Sequence, residues 1–223
     1  MTVILNFHGL GTPHAGVDDS ERPYWLPVDR FLAILDRVAA LAGRGCAFRI
    51  TFDDGNLSDL VVAAPALAAR GLGADFFVLT GRLGQEHYLG EADVKALQAQ
   101  GFGIGLHGAR HLDWRTLDEV GLQAETRDAR VRLAGVLGSP VTSVAVPFGA
   151  YNRRVMAHLL REGFAEILTS DGGRATDGAR IKPRTSLRAD MDAPAIEAIL
   201  FDRAGPATRV RRAASRFVRR HLA

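Results

Sequence analysis

The sequence predicts a single-domain distorted (β/α) barrel of about seven parallel strands, and three observations lead there. Short β-branched and aromatic runs alternate along the chain with amphipathic stretches of helical period, the pattern of repeated β-α units with parallel strands. Polar or turn-forming residues, among them His8, Asp53, Asp54, Thr80, His107, Pro147, Gly149 and Asp171, fall just after the strand runs. Sites of such barrels gather at the carboxyl ends of strands. No glycine-rich phosphate fingerprint follows the first run, which weakens the rival, an open doubly wound nucleotide-binding sheet.

The elements follow in order. VILNF reads as the first strand, PVDRFLAILDRVAALAG as an amphipathic helix and AFRITF as the second strand. SDLVVAAPALAARG is a helix with Ser58 placed to cap it, ADFFVLT a strand, and EADVKALQAQG a helix opened by Glu91 and Asp93. Gly71 and Gly101 stand where helices end. FGIGLHG, SVAVPFG and FAEILTS are further strands, separated by helices from about Thr116 to Leu137 and over NRRVMAHLLREG, and IKPRTS is the last strand. Residues 1–205 form the barrel and residues 206–223 a basic helical tail, with Val210, Ala214, Phe217 and Val218 at roughly helical spacing among arginines.

With 223 residues, 47% of them hydrophobic, the chain can bury a full core. The pI near 9.5 accompanies a net charge of only +3 and no recognised binding motif, so no nucleic-acid partner is expected. Cys46 is the only cysteine, which excludes an internal disulfide, and CAFRITF places it on a buried strand. MTVILNFHG reads as a strand rather than a signal peptide, and no apolar run spans a bilayer. A cytoplasmic location, at the inner membrane face, is expected.

The chemistry concentrates in TFDDG (51–55) and HGARH (107–111). A catalytic metal site supplies three protein ligands and keeps a place for water, and Asp54, His107 and His111 could form that set. Asp53, beside the proposed ligand, could take the water's proton. Both carboxylates serve one site only if the strand bends there, which Gly55 permits. The histidine spacing puts both imidazoles on one side of a helical turn.

These motifs resemble those of the polysaccharide deacetylases, the NodB-homology or carbohydrate esterase family 4 proteins, over most of the chain. The resemblance implies Asp53 as catalytic base and Asp54, His107 and His111 as metal ligands, with Gly108 where the family usually has a hydroxyl residue. VAVPFG is similar to a third motif, implying that Pro147, Phe148 and Gly149 line the groove and that the Phe148 N–H faces the developing oxyanion. The family often has an arginine at the position of Ala145; Arg184 is the candidate replacement. The usual late acidic histidine is missing, as only His221 follows the catalytic strands. In branches that look circularly permuted the acid lies on the first strand, which implies His8, with His14 a weaker substitute. Asp171 resembles a supporting position. Tyr24, Trp25, Trp114 and Tyr151 are candidates for stacking on sugar rings, or for core packing.

The implied function is metal-dependent removal of N-acetyl groups from N-acetylglucosamine-type residues of a bacterial polysaccharide or lipid-linked precursor. Zinc is the expected cation, with Co2+, Ni2+ and Fe2+ as alternatives. The terminal arginines are candidate contacts for a membrane or a synthesis complex. A small-amide amidohydrolase of the same fold and a catalytically silent carbohydrate-binding or assembly protein are the rivals.

Overall fold

The computed structural model describes residues 1–221. Seven strands lie parallel and side by side: β1 (Thr2–Phe7), β2 (Phe48–Asp54), β3 (Asp75–Val78), β4 (Gly103–Leu106), β5 (Ser143–Ala145), β6 (Glu166–Thr169) and, beyond a short β7 (Arg174–Ala175), β8 (Ile181–Pro183). β7 pairs antiparallel with the start of β1. β8 pairs with β6, while β9 (Thr185–Ser186), one residue further on, pairs with β1. A single extended segment thus changes partner at Arg184 and brings the two ends of the sheet together, closing the barrel expected from the sequence.

Helices cover the outside. α1 (Val28–Ala42) buries Phe31, Ile34, Leu35, Val38 and Leu41, the stripe its sequence spacing requires. α2 (Ala64–Ala68) continues from a π-helical turn (Asp59–Ala63), and α3 (Glu91–Ala99) starts where the Asp93 carboxylate accepts the Gly90 N–H. The stretch expected as one helix from Thr116 is α4 (Glu119–Gln123), a π-helical turn (Ala124–Asp128) and α5 (Ala129–Leu137). α6 (Arg153–Arg161), α7 (Ala193–Leu200) and α8 (Pro206–His221) complete the chain, with α8 against α6. Residues 222 and 223 of the expected tail lie outside the described residues. Two expectations change: Ser58 makes no cap bond but accepts the Leu10 N–H, and Cys46 is half-buried ahead of β2 rather than inside a strand. Among the described residues, no helix is long and apolar enough to cross a membrane.

Strand alternation divides the core. Phe7, Phe52 and Phe76 stack across neighbouring strands under the helices, at centroid distances of 5.3 and 4.9 Å. Phe77, Ala145 and Leu168 form a separate, smaller cluster on the opposite sheet face, along the barrel axis. The axis is narrow, and β4 supplies glycine there. A Cβ on Gly103 would lie 2.1 Å from Asp75 Oδ1, and one on Gly105 2.3 Å from the Phe77 ring. At the amino-terminal end Arg49 reaches Asp75 and Glu166 at 2.7 and 2.6 Å, and Lys182 also pairs with Glu166. The opposite end opens into a cleft.

Candidate active site

The inward residues of β1 and β2 carry polar groups toward that open end. Asn6, Thr51 and Asp53 alternate with apolar residues facing the helices, and all three are buried. Arg184, fully buried at the strand that closes the barrel, donates to both Asp53 oxygens, Nη1 to Oδ1 at 2.7 Å and Nη2 to Oδ2 at 2.8 Å. Asn6 Nδ2 donates to Asp53 Oδ2 at 2.9 Å, while Asn6 Oδ1 accepts from Arg184 and from Thr51 Oγ1, both at 2.8 Å. Burial alone would drive the Asp53 proton affinity up, but the Arg184 guanidinium, through its charge and its hydrogen bonds, outweighs it and holds the carboxyl well below the usual range. Asp53 is therefore a fixed, ionised carboxylate. A guanidinium in this place supplies the charge that the alanine at position 145 cannot.

On a regular strand Asp54 would point away from Asp53. Its φ of 79° and that of Gly55, 70°, turn the chain, so that the bend expected at the glycine already begins at the aspartate. Asp54 Oδ1 consequently lies 3.5 Å from His107 Nε2 and 3.5 Å from His111 Nε2, buried and without a hydrogen-bond partner. One donor atom from each of the three residues falls within 4.8 Å of the others. The far nitrogens are committed: His107 Nδ1 donates to the Ala145 carbonyl at 3.0 Å, and His111 Nδ1 lies 2.9 Å from Glu21 Oε1. Such partners set the tautomer and aim the free nitrogen at a metal. Burial pushes His107 down to about 4, against the pull of Asp53 and Asp54, so its ring is neutral at physiological pH. An orphaned buried carboxylate oxygen facing two free imidazole nitrogens fits a divalent cation.

HGARH is not the helical turn its spacing suggested. It is a loop after β4, with Gly108 at φ 100° and His111 at φ 58°. The buried Glu125 carboxylate, from the π-helical turn, holds this loop by accepting the N–H groups of Ala109 and Arg110 at 2.9 and 3.1 Å and Arg110 Nε at 2.9 Å. A Cβ at position 108 would lie 2.9 Å from Glu125 Oε2. Glycine there makes room for the carboxylate that braces the loop in place of a local hydroxyl.

The PFG turn (Pro147–Gly149) follows β5, with Phe148 at φ 58° and its ring 4.2 Å from that of His111. Pro147 and Gly149 are buried beneath it, and a Cβ on Gly149 would meet Ser170 Cβ at 2.6 Å. The turn's own bonds run from Gly149 to Val146 and from Ala150 to Pro147, so they leave the Phe148 N–H aside. Three left-handed non-glycine residues, Asp54, His111 and Phe148, thus meet at one place, where such backbone is costly and needs surrounding support.

These groups open on a cleft of about 730 Å³, lined by His8, Tyr24, Trp25 and Asp171 among others. His8 sits at the end of β1, its ring 4.9 Å from that of Tyr24. His14 is not on the cleft wall; it stacks on His87 at 4.3 Å. Of the four candidate stacking residues only Tyr24 and Trp25 reach the cleft, because Trp114 and Tyr151 are core residues. Tyr151 instead donates to Asp171, which also accepts from Thr169 and pairs with Arg219 of α8. Motif and spacing do not single out Asn6, Thr51, Glu21 and Glu125. For Asn6 and Thr51 the signal was present, a polar residue inside an apolar strand run in phase with Asp53; Glu21 and Glu125 lie in segments whose pattern carries none.

Comparison with known proteins identifies the family. The polysaccharide deacetylase family model matches residues 44–167, which hold both acidic and histidine motifs. YxkH of Bacillus subtilis, named a polysaccharide deacetylase, is 28% identical over 127 residues, 57% of this chain and 46% of that one. A chitin deacetylase of Pestalotiopsis sp is 30% identical over 120 residues, 54% of this chain and 40% of that one. The match spans less than half the length of either relative. The deacetylase PplD of Streptococcus pyogenes shares the fold, with a TM-score of 0.74 at 20% identity over 89% of this chain and 97% of that one. With its family model matched over more than half its length and the fold shared over 89% of it, this chain belongs to the polysaccharide deacetylase family.

Proposed function

We propose that the protein hydrolyses the acetamide of N-acetylglucosamine-type residues in a polysaccharide or its precursor, with a divalent cation held by Asp54, His107 and His111. The observation that carries this reading is the convergence of one ligand atom from each of Asp54, His107 and His111 within 4.8 Å of one another beside the Arg184-clamped Asp53. Zinc suits two imidazoles and a carboxylate, and when bound it supplies Lewis acidity toward the acetamide carbonyl and the attacking water. Asp53 takes the proton from that water, held ionised and aimed by Arg184 and Asn6. The Phe148 N–H donates to the developing oxyanion. His8 protonates the departing amine, so acetate and a free amino sugar leave. Pro147 and Gly149 shape the groove, and Asp171 supports its wall through Tyr151.

The cleft volume and the half-buried rings of Tyr24 and Trp25 on its wall favour a saccharide over a small amide. Cys46 as the only thiol fits action in a reducing compartment, ahead of export. The test joins metal analysis of the purified protein to an acetate-release assay on N-acetylglucosamine oligomers, comparing Asp53→Asn, His8→Ala and His107→Ala. The first two should retain metal and lose turnover, whereas the third should lose both. Metal-loaded wild type that releases no acetate would overturn the reading.

A further inference from the structure

α8 does not trail from the barrel. Its inner side forms part of the cleft wall, where Arg211, Arg212 and Arg219 line the same space as Asp54 and His111. The acidic groups of that space are all engaged: Glu21 with His111, Asp53 with Arg184, Asp54 with the imidazoles, and Asp171 with Tyr151 and Arg219. The cations are less fully matched. Arg211 has no ion pair among the described residues, and Arg212 has one at 3.4 Å, to Asp202. The Gly172–Gly173 turn makes space for the second of these. Both glycines are left-handed, at φ 69° and 92°, and a Cβ on Gly172 would meet the Arg212 guanidinium at 3.1 Å. The hydroxyls of Ser170 and Ser215 stand on the same wall. Guanidinium forks with neighbouring hydroxyls recognise phosphate or carboxylate oxygens.

We infer that Arg211 and Arg212 form an anion subsite, and that the substrate carries a negative group, a phosphate or a carboxylate, close to the N-acetyl sugar. This rests on the deacetylase reading for the acetamide but not for the anion. A neutral glycan can offer the guanidinium groups on this cleft wall only hydroxyl oxygens, whereas a phosphate-linked or uronate-bearing one also matches their charge.

The test is equilibrium binding by calorimetry to the chelator-treated 223-residue chain, so that a metal cannot itself bind the anion. Three probes are compared: N-acetylglucosamine 1-phosphate, its uncharged methyl glycoside, and an N-acetylglucosaminyl-glucuronic acid disaccharide. At least one anionic probe should bind about tenfold or more tightly than the methyl glycoside, and whichever does identifies the source of the charge. Arg211→Ala and Arg212→Ala should each cut that preference roughly five- to tenfold, Arg211→Glu should reverse it, and added salt should shrink it. Equal affinity for charged and neutral probes, or a preference untouched by all three variants, would overturn the subsite. Acetate release by the metal-loaded protein from the same probes is scored separately: its absence from every probe defeats the deacetylase reading, while the binding preference still decides the anion site.

Discussion

Arg184 and Asp53 form a two-pronged ion pair inside the barrel, Nη1 to Oδ1 at 2.7 Å and Nη2 to Oδ2 at 2.8 Å, with the guanidinium fully buried and over the Phe77 ring. The two residues are brought together by barrel closure, since Arg184 stands where the last strand leaves β6 for β1. One interaction therefore joins the seam of the fold to the proposed base. Arg184→Ala leaves a buried carboxylate unpaired and should cost about 3–5 kcal/mol of unfolding free energy. Chemical denaturation measures that, and acetate release should fall with it. Arg184→Lys should recover part of the stability and little turnover, because a single ammonium cannot hold both oxygens.

Glu21 orients His111 through Nδ1 at 2.9 Å. Glu21→Gln should weaken metal binding by roughly 10–100-fold, read by competition with a chromophoric chelator. Unfolding free energy of the metal-free protein should change by much less, as Glu21 sits in a loop at the cleft.

Gly108 and Glu125 compete for the same space. Gly108→Ser places a Cβ against a buried carboxylate, on a backbone at φ 100°, and should destabilise by about 1–3 kcal/mol. Glu125→Ala unpairs the Ala109 and Arg110 N–H groups and should cost a comparable amount. A double-mutant cycle should show the pair costing less than the sum, since removing the carboxylate relieves the clash.

Glu166 is held below its ordinary range: burial raises it, but the hydrogen bonds and charges of Lys182 and Arg49 prevail. A carboxyl whose folded value is depressed contributes stability that is complete above the unfolded value of about 4.5 and is lost as pH falls through the folded one. Wild type should therefore lose stability steadily on acidification below about pH 4.5, and Glu166→Gln should be less stable near neutrality with a flatter acid limb. Denaturation midpoints across pH 3 to 7 check this; parallel curves for the two proteins would refute it.

Periodicity in the chain determined much. The alternation of strand and helix runs, the positions of TFDDG and HGARH after their strands, and the identity of Asp53, Asp54, His107 and His111 as a candidate set all follow from residue type and spacing, because side-chain direction on strands and helices is local. Other relations depended on tertiary structure, since they join residues far apart in sequence. Arg184 is only a candidate in the sequence, and barrel closure is what sets it against a carboxylate 131 positions away. Glu21 and Glu125 sit in loop and helix segments that carry no pattern pointing at a histidine, and HGARH, spaced like a helical turn, is bent into a loop by left-handed Gly108 and His111. The terminal arginines, legible only as a basic amphipathic stretch, acquire a cleft to face because α8 folds back onto the barrel. A one-dimensional pattern specifies which face of an element is apolar; only closure of the barrel decides which polar groups then share its dry interior.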